Sequence, residues 1–191
     1  MPKLLPDITT VFLDRDGVIN VDSPDYIKSW QEFRLIPGSL EAIALLTRAG
    51  IAVIVITNQS AVNRGMMSPE ALETMHRRMC RAVADSGGRI TDIFFCPHRP
   101  DENCDCRKPK PGMLLAARDR YGIDLASAVM VGDSEKDILT GQAAGCGATV
   151  LVKTGNGEMA IQSLARKGAF PDHVANDLAA AANWILDQRH V

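Results

Sequence analysis

An uninterrupted apolar run at residues 51–56 constrains the fold of this chain more than any other feature. A strand that is apolar throughout and rich in β-branched residues is typical of a parallel sheet covered by helices on both faces. The run follows residues 39–50, which have apolar side chains at helical spacing, Ser39 as the predicted N-cap and Gly50 as the predicted C-cap. Because residues 10–13 form an earlier apolar strand, the order strand, helix, strand predicts a right-handed crossover in an α/β fold.

The rest of the chain repeats this alternation. Further strands are predicted at residues 90–95, 128–131 and 148–152, with a brief extended piece near His173 and Val174. Helices are predicted at residues 68–87, 113–121, 138–144, 158–166 and 177–189. Residues 21–37 are predicted to be a long loop, which either walls a substrate site or simply packs on the domain.

The helix predicted at residues 68–87 has one apolar face, formed by Leu72, Met75, Met79 and Val83. The two methionines are therefore expected in the core. His76 lies beside that face and is predicted to be a surface or boundary residue rather than a metal ligand.

Length, charge and composition exclude several classes of protein. A chain of 191 residues with 46% hydrophobic content is long enough for one well-packed domain, residues 1–191. A net charge of −2 without a run of like charges argues against a nucleic-acid partner. No stretch approaches the ~18 apolar residues of a membrane span, and the N-terminus lacks the apolar core of a signal peptide. We therefore expect a cytoplasmic monomer that acts on a small molecule and not on nucleic acid or membrane.

Polar side chains follow three of the predicted strands. Asp14, Asp16 and Gly17 come directly after the first strand, and residues 57–60 (Thr-Asn-Gln-Ser) after the second. Asp133 follows the fourth strand, with Asp137 in the first turn of the next helix. Each group taken alone is also compatible with a turn or a helix cap. In open α/β sheets, however, ligands bind at the carboxyl ends of the strands, so these groups are predicted to share one site.

The third strand leads into a loop with an unusual concentration of metal ligands. Its four candidate ligands are two cysteine-centred pairs separated by five residues: Cys96, His98, Cys104 and Cys106. Three thiolates and one imidazole form a closed tetrahedral set for structural zinc. The alternatives are reduced surface thiols or a labile disulfide. The zinc loop, about residues 96–110, also carries the basic pair Arg107 and Lys108, and a lysine held there is either functional or merely solvated.

Together these side chains match the groups that phosphoryl transfer requires. The reaction uses a carboxylate nucleophile that forms an aspartyl-phosphate, an acid and base, and a lysine for the phosphoryl oxygens. Mg²⁺ prefers octahedral oxygen ligands, and Asp14 and Asp133 fit that role. Lys108 and the metal would offset the repulsion between these acids and a phosphate dianion.

The chain resembles the phosphatases of the haloacid dehalogenase (HAD) superfamily, whose four motifs occur here in order. They are Asp14-Arg15-Asp16-Gly17, Thr57-Asn58, Lys108, and Gly132-Asp133 with Asp137. Within the superfamily the resemblance is closer to the heptose-bisphosphate phosphatases and extends over about residues 9–186. It implies a Rossmann-like central parallel sheet flanked by helices, with a zinc-binding loop and no large cap domain.

The resemblance also implies residue roles. Asp14 would attack the phosphorus, and Asp16 would serve as acid and then as base. Thr57 and Lys108 would hold the transferring phosphoryl group, and Asp137 would support the site. The magnesium ligands would be Asp14, the backbone carbonyl of Asp16, and Asp133, and the zinc would be structural. The implied substrate contacts are Asp22, Thr57, Asn58, Gln59, Ser60, Arg107 and Lys108.

The implied reaction is magnesium-dependent removal of the 7-phosphate of D-glycero-D-manno-heptose 1,7-bisphosphate, in the biosynthesis of nucleotide-activated heptose. Histidinol-phosphate phosphatase is the alternative within the same chemistry. A signalling receiver module is the non-enzyme alternative, but it takes its phosphoacceptor from a middle strand and has no zinc loop. One departure is Ala61-Val62-Asn63, which stands where the family usually has a glycine, an aliphatic residue and an alanine. Alanine in place of glycine at residue 61 would affect the fit of the substrate if that position required a positive φ.

Overall fold

The computed structural model describes residues 7–188 and shows a parallel sheet of six strands in the order β3-β2-β1-β4-β5-β6. The strands are β1 (Thr10–Leu13), β2 (Ala52–Asn58), β3 (Asp92–Cys96), β4 (Ala128–Gly132), β5 (Ala148–Val152) and β6 (His173–Ala175). The expected α/β class with a Rossmann-like parallel sheet is therefore confirmed.

Six α-helices lie among these strands within residues 7–188. They are α1 (Ser39–Arg48), α2 (Pro69–Asp85), α3 (Gly112–Tyr121), α4 (Glu135–Ala144), α5 (Gly157–Arg166) and α6 (Leu178–Asp187). The sequence predicts the last helix at residues 177–189, of which Arg189 lies outside the described residues. None of the described helices is long and apolar enough to cross a membrane.

Strand β1 lies at the centre of the sheet and determines where the site forms. Val11 is paired with Val53 of β2 on one side and with Val129 of β4 on the other. From β1 the chain adds β2 and β3 on one side and then returns to place β4 on the other. A ligand crevice forms at such a switch in strand order, at the carboxyl ends of the strands.

The sheet is covered on both faces because alternate strand residues point in opposite directions. Val11 and Leu13 pack in the larger apolar core together with α1, α2 and α6. Phe12 points to the opposite face, where it belongs to the core under α3. Burial on both faces explains why the strand sequences are continuously apolar rather than alternating.

Two predictions about helix α1 and helix α2 are wrong. Ser39 is the first helical residue of α1 and not its N-cap, which is Gly38 at φ +83°, and the Ser39 hydroxyl is buried without a hydrogen bond. His76 of α2 is buried rather than at the surface, and its Nε2 lies 3.3 Å from Arg15 Nη1, a buried partner that the helical pattern alone does not reveal. In contrast, Ser68 caps α2 as predicted, accepting a hydrogen bond from the Ala71 amide.

Candidate active site

Three buried carboxylates meet at the carboxyl ends of the central strands. Asp14 follows β1, Asp133 follows β4, and Asp137 lies in the first turn of α4. One oxygen of each lies within 4.8 Å of the others. The fold thus brings the predicted pair Asp14 and Asp133 together and adds Asp137 to them.

Lys108 enters this acidic cluster from the end of the zinc loop. Its Nζ lies 2.9 Å from Asp14 Oδ1 and 2.5 Å from Asp137 Oδ1, and it donates to the Ile56 carbonyl at 3.0 Å. Burial alone would lower the pKa of Lys108, but the Asp137 and Asp14 carboxylates outweigh it and raise that pKa. The ammonium is therefore charged and fixed at three contacts.

Asn58 holds the backbone at Lys108. Its Oδ1 accepts from the Lys108 amide at 3.1 Å, and its Nδ2 donates to the Lys108 carbonyl at 3.2 Å. Both polar atoms of the amide are thus used to clamp the zinc loop to the end of β2. Although Asn58 lines the cleft as the resemblance implied for a substrate contact, its contacts in the structure position the lysine.

Burial and repulsion between carboxylates raise the pKa values of Asp133 and Asp14. Burial and the charge of Asp137 raise the pKa of Asp133 to about 7. Burial raises the pKa of Asp14 well above its usual value, with the Asp137 charge adding to the effect and Lys108 opposing it. When all three acids are ionised, one ammonium leaves two negative charges uncompensated. A cluster of this charge, size and oxygen chemistry fits a hard divalent cation such as Mg²⁺.

Two glycines allow the chain to approach Asp133 closely. Gly17, at φ +80°, and Gly155, at φ +60°, each lie so near that a Cβ atom would stand 2.1 Å from Asp133 Oδ2. The same oxygen accepts from the Asn156 backbone amide at 2.8 Å and from its side-chain Nδ2 at 3.1 Å. That Nδ2 also donates to Asp22 Oδ2 at 2.8 Å, so Asn156 joins Asp133 to the loop at residues 21–37.

The side chain of Asp16 lies apart from the three clustered acids. Its Oδ1 accepts from Arg15 and from Asn20 Nδ2 at 2.8 Å, and its Oδ2 accepts from Gln59 Nε2 at 2.9 Å. Burial alone would raise the pKa of Asp16, but the Arg15 charge and these hydrogen bonds lower it. The resemblance assigns the metal contact of this residue to its backbone carbonyl, which stays a prediction.

An open cleft of about 430 Å³ lies in front of these groups. It contains every residue expected to contact the substrate, together with Asp14, Asp16 and Asp133. Thr57 is buried at its base, where its hydroxyl accepts from Gln59 Nε2 at 2.9 Å. Further residues that line the cleft but were absent from the expected site are Ser23, Pro24, Tyr26, Ile27, Ser134, Lys136 and Asn156.

The four predicted zinc ligands form a compact cluster at the end of β3. Cys96 Sγ lies 3.5 Å from both His98 Nδ1 and Cys104 Sγ, and Cys106 Sγ lies 3.3 Å from His98 Nδ1 and 3.4 Å from Cys104 Sγ. These distances are close to the edges of a tetrahedron around zinc. All five cysteines are free, so the alternative of a disulfide in this loop is not what the structure shows. Arg107 braces the loop by donating to the His98 carbonyl at 2.9 Å.

With this geometry established, comparisons with known proteins identify the family. Residues 105–181 match the family described as HAD-hydrolase-like. A D-glycero-β-D-manno-heptose-1,7-bisphosphate 7-phosphatase from Pseudomonas aeruginosa is 48% identical over 176 residues, covering 92% of this chain and 97% of that protein. The protein of the same name from Escherichia coli is 42% identical over 194 residues, covering 98% of this chain and 91% of that protein. The chain belongs to this heptose-bisphosphate phosphatase family.

A solved structure supports the same membership. The D,D-heptose 1,7-bisphosphate phosphatase from B. bronchiseptica, complexed with magnesium and phosphate, matches with a TM-score of 0.88 and 45% identity. The match covers 95% of this chain and 99% of that chain. The resemblance to the HAD superfamily and the expectation of a phosphatase rather than a receiver module are thereby confirmed. The carboxylate cluster is consistent with the magnesium of that relative, and the Cys₃His cluster can hold zinc.

The departure at Ala61 has no backbone consequence. Among the described residues other than glycine, only Tyr26 and Asn103 have positive φ. Ala61 is buried in ordinary backbone geometry, so its methyl group packs in the core without strain. This position therefore does not require a glycine, and alanine fits the same local backbone conformation.

Sequence reasoning missed three residues that organise the site: Arg15, Asn20 and Asn156. Arg15 and Asn20 bond Asp16, and Asn156 bonds Asp133. A basic residue between two acids at a buried strand end is a signal for Arg15, because a charge there must be paired. Asn156 had a weaker signal: it follows β5 at the edge that carries Asp14 and Asp133.

Proposed function

We propose that this protein is a magnesium-dependent phosphatase that removes the 7-phosphate of D-glycero-β-D-manno-heptose 1,7-bisphosphate in nucleotide-activated heptose biosynthesis. The observation that carries the proposal is the contact of Asp14 with Lys108 inside a buried acidic cluster. A carboxylate nucleophile and a fixed cation beside it are what transfer of a phosphoryl group to an aspartate requires. Relatives over nearly the whole chain carry this name, which supports the choice of substrate.

In the first step, an Asp14 carboxylate oxygen attacks the phosphorus of the 7-phosphate and forms an aspartyl-phosphate. The bond from phosphorus to the sugar oxygen breaks, and protonated Asp16 gives its proton to that oxygen. Lys108 is placed to stabilise negative charge on the phosphoryl oxygens, since its ammonium is 2.9 Å from the nucleophile. Thr57 lies in the same cleft and is assigned to hold the phosphoryl group.

In the second step, Asp16 is a carboxylate and takes a proton from water as the water oxygen attacks the phosphorus. The bond from phosphorus to Asp14 breaks, inorganic phosphate leaves, and Asp16 is protonated for the next cycle. Asp16 reaches both steps because it lines the cleft with its side chain 20% exposed. Its lowered pKa favours the carboxylate that acts as base, and the proton that it takes from water is the one that it gives to the sugar oxygen in the next cycle.

Asp14, Asp133 and the backbone carbonyl of Asp16 would hold Mg²⁺, with Asp137 supporting the site through Lys108. When bound, the ion supplies positive charge that offsets repulsion between these acids and the phosphate. The residues assigned to bind the substrate are Asp22, Thr57, Asn58, Gln59, Ser60, Arg107 and Lys108, all of which line the cleft.

The zinc loop has a structural role in this proposal. Zinc at Cys96, His98, Cys104 and Cys106 would stabilise the segment that delivers Arg107 and Lys108 to the cleft. Reduced cysteines are the state in which such a site forms, so we place the protein in the cytoplasm. We also propose that residues 1–191 form one domain and that it acts as a monomer.

Competing substrates test the proposed function. We expect higher kcat/KM for the β anomer of heptose 1,7-bisphosphate than for the α anomer, and much lower kcat/KM for histidinol phosphate. Assays with each phosphate ester in the presence of Mg²⁺, following inorganic phosphate, measure all three values. Higher kcat/KM for histidinol phosphate would replace the heptose proposal with its alternative. Loss of all activity on removal of Mg²⁺, restored by its addition, is the matching test of the cation.

A further inference from the structure

Arg15 is a completely buried arginine whose role the proposed mechanism does not include. A buried guanidinium is costly unless its charge is paired and its donors are satisfied. Arg15 meets that cost with one carboxylate: Nε donates to Asp16 Oδ1 at 3.0 Å, and Nη2 donates to Oδ1 at 2.8 Å and to Oδ2 at 3.0 Å. This fork holds both oxygens of Asp16 and so fixes the plane of its carboxylate.

The other end of the guanidinium is held by helix α2. Nη1 lies 3.3 Å from His76 Nε2 and 3.5 Å from Met75 Sδ. Because arginine has donors only, His76 Nε2 must accept, which places the imidazole proton on Nδ1. The carbon at the centre of the guanidinium also lies 5.6 Å from the centre of the Phe33 ring, in the loop at residues 21–37. One side of the Arg15 guanidinium thus contacts His76, Met75 and Phe33, while Nε and Nη2 bind the Asp16 carboxylate.

We propose that Arg15, held by His76, is a positioning residue that aims the Asp16 carboxylate at the leaving sugar oxygen. The inference rests on the proposed function, because it takes Asp16 as the acid and base. Asn20 and Gln59 also bond Asp16, but each contacts a single oxygen. Among residues 7–188, Arg15 is the one side chain that donates to both oxygens, and it supplies three of the five side-chain hydrogen bonds to Asp16, so its loss weakens the hold on the plane of the carboxylate.

The leaving group of the substrate separates this role from a merely structural one. A sugar alkoxide is strongly basic and needs a proton from Asp16 as the bond to phosphorus breaks. A 4-nitrophenolate leaves without that proton, so its release does not depend on the aim of Asp16. The ratio of kcat/KM for the heptose bisphosphate to kcat/KM for 4-nitrophenyl phosphate therefore reports proton donation in the phosphoryl-transfer step.

Arg15→Lys keeps the positive charge but loses the fork. We expect it to lower kcat/KM for the heptose bisphosphate by about 100-fold and for 4-nitrophenyl phosphate by less than about fivefold. Asp16→Asn supplies the benchmark for complete loss of proton donation. Met75→Leu is the matched control, because it changes the other α2 side chain beside Arg15 without removing an acceptor for a strong hydrogen bond, and we expect an unchanged ratio.

His76 provides a second pair of variants that does not disturb the buried charge itself. His76→Leu removes the acceptor behind Arg15 and should shift the ratio in the same direction by about tenfold, whereas His76→Gln restores an acceptor and should restore the ratio. Circular dichroism and thermal melting identify which variants are folded. If Arg15→Lys does not fold, the His76 pair decides.

Equal losses on both substrates in folded Arg15→Lys, or no loss on either, would overturn the inference. So would an unchanged ratio in His76→Leu if that variant has to decide. Failure of the proposed function has a different signature, since the wild-type protein would then not hydrolyse the heptose bisphosphate. In that case the ratio is measured with whichever alkyl phosphate the wild type hydrolyses, and the outcomes for Arg15 keep the same meaning.

Discussion

The two candidate metal clusters are linked through Lys108, which contacts the acidic cluster and follows the Cys₃His cluster in the sequence. They differ in burial and in the number of elements that supply their ligands. The acidic cluster is drawn from three elements that the sheet brings together, and its side chains are buried. The Cys₃His cluster comes from one short stretch, the end of β3 and the loop that follows it, and three of its four ligands are only partly buried. Apart from the 3₁₀ turn Pro100–Glu102, the loop from Pro97 to Arg107 contains no helix or strand.

The difference separates a site that the fold organises from a loop that a metal organises. The acidic cluster is held by hydrogen bonds from Lys108, Ser134 and Asn156, so protein groups fix the positions of its carboxylates. The zinc loop has almost no apolar side chains to bury, and zinc bound to its four-ligand cluster would stabilise it. Lys108 lies two residues after Cys106 and pairs with Asp14 and Asp137, so we expect phosphoryl transfer to depend on both clusters.

The largest expected effect comes from the acidic cluster. Asp14→Asn should lower kcat by at least about 10⁴-fold, because the amide cannot form the aspartyl-phosphate. The free energy of unfolding should stay the same or rise, since burial and the neighbouring acids disfavour the Asp14 charge. Phosphate release and chemical denaturation measure the two quantities. Asp105→Asn, at an exposed acid of the zinc loop, is the control, and substantial turnover by Asp14→Asn would refute the nucleophile assignment.

Disruption of the zinc loop should have the opposite signature, with stability and activity lost together. We expect wild-type protein to contain about one zinc per chain and Cys106→Ser to contain little, with a loss of several kcal/mol in the free energy of unfolding. Proteolysis should then cut between Pro97 and Arg107. Cys146→Ser changes a cysteine outside the cluster and should leave zinc content and stability nearly unchanged. A stable, zinc-free Cys106→Ser protein would contradict the distinction between the clusters.

The buried contact between Arg15 and His76 should affect how the free energy of unfolding depends on pH. Burial and the Arg15 charge lower the pKa of His76 from 6.5 to about 3. As the pH falls below about 6.5, His76 takes up a proton in the unfolded chain but not in the folded protein. The free energy of unfolding therefore decreases as the pH falls. Between about pH 7 and about pH 5 this costs about 2 kcal/mol.

His76→Gln removes that titration, so denaturation at the two pH values should show a smaller loss for this variant than for wild type. The double difference isolates His76 from the other groups whose protonation changes in this range, including Asp133. Identical pH dependence in the two proteins would show that the imidazole titrates normally.

The smallest effect concerns the link between the acidic cluster and the loop at residues 21–37. Asn156→Ala removes the amide that bonds both Asp133 and Asp22 and should weaken Mg²⁺ binding about tenfold. Calorimetric titration with Mg²⁺ alone measures this without turnover. Asn63→Ala, which removes an exposed amide contact to Glu102, is the control. Unaltered Mg²⁺ affinity in Asn156→Ala would mean that the Asn156 backbone amide alone holds Asp133.

Much of the fold follows from local patterns in the sequence. The continuous apolar runs predicted the strands to within about two residues, since burial on both faces leaves few alternatives. The Cys and His spacing also predicted a cluster, because all four ligands lie within eleven consecutive residues, 96–106. Where a cap depends on backbone shape, as at Gly38 before Ser39, residue type was a poor guide.

The contacts that the sequence did not predict are long-range side-chain contacts. Arg15 follows β1 and contacts His76 of helix α2, which is 61 residues away in the sequence. No local sequence pattern predicts that contact. The contact of Lys108 with Asp137 is also long-range, since the two residues are 29 positions apart and only the fold brings them together. Asp14 and Asp133 were easier to place together, because strand ends in a parallel sheet converge by rule.

Asp137 carries a consequence that neither cluster alone reveals. Its Oδ2 accepts from the Ser134 amide and hydroxyl to cap helix α4, while its Oδ1 pairs with Lys108. One carboxylate thus serves secondary structure with one oxygen and catalysis with the other. The effects of substitutions at Asp137 and Lys108 should therefore be strongly non-additive in a double-mutant cycle. Substitution of Asp137 already removes the helix cap and the ion pair with Lys108, so a second change at Lys108 has less left to remove. At this position, helix stability and catalytic competence cannot be varied separately.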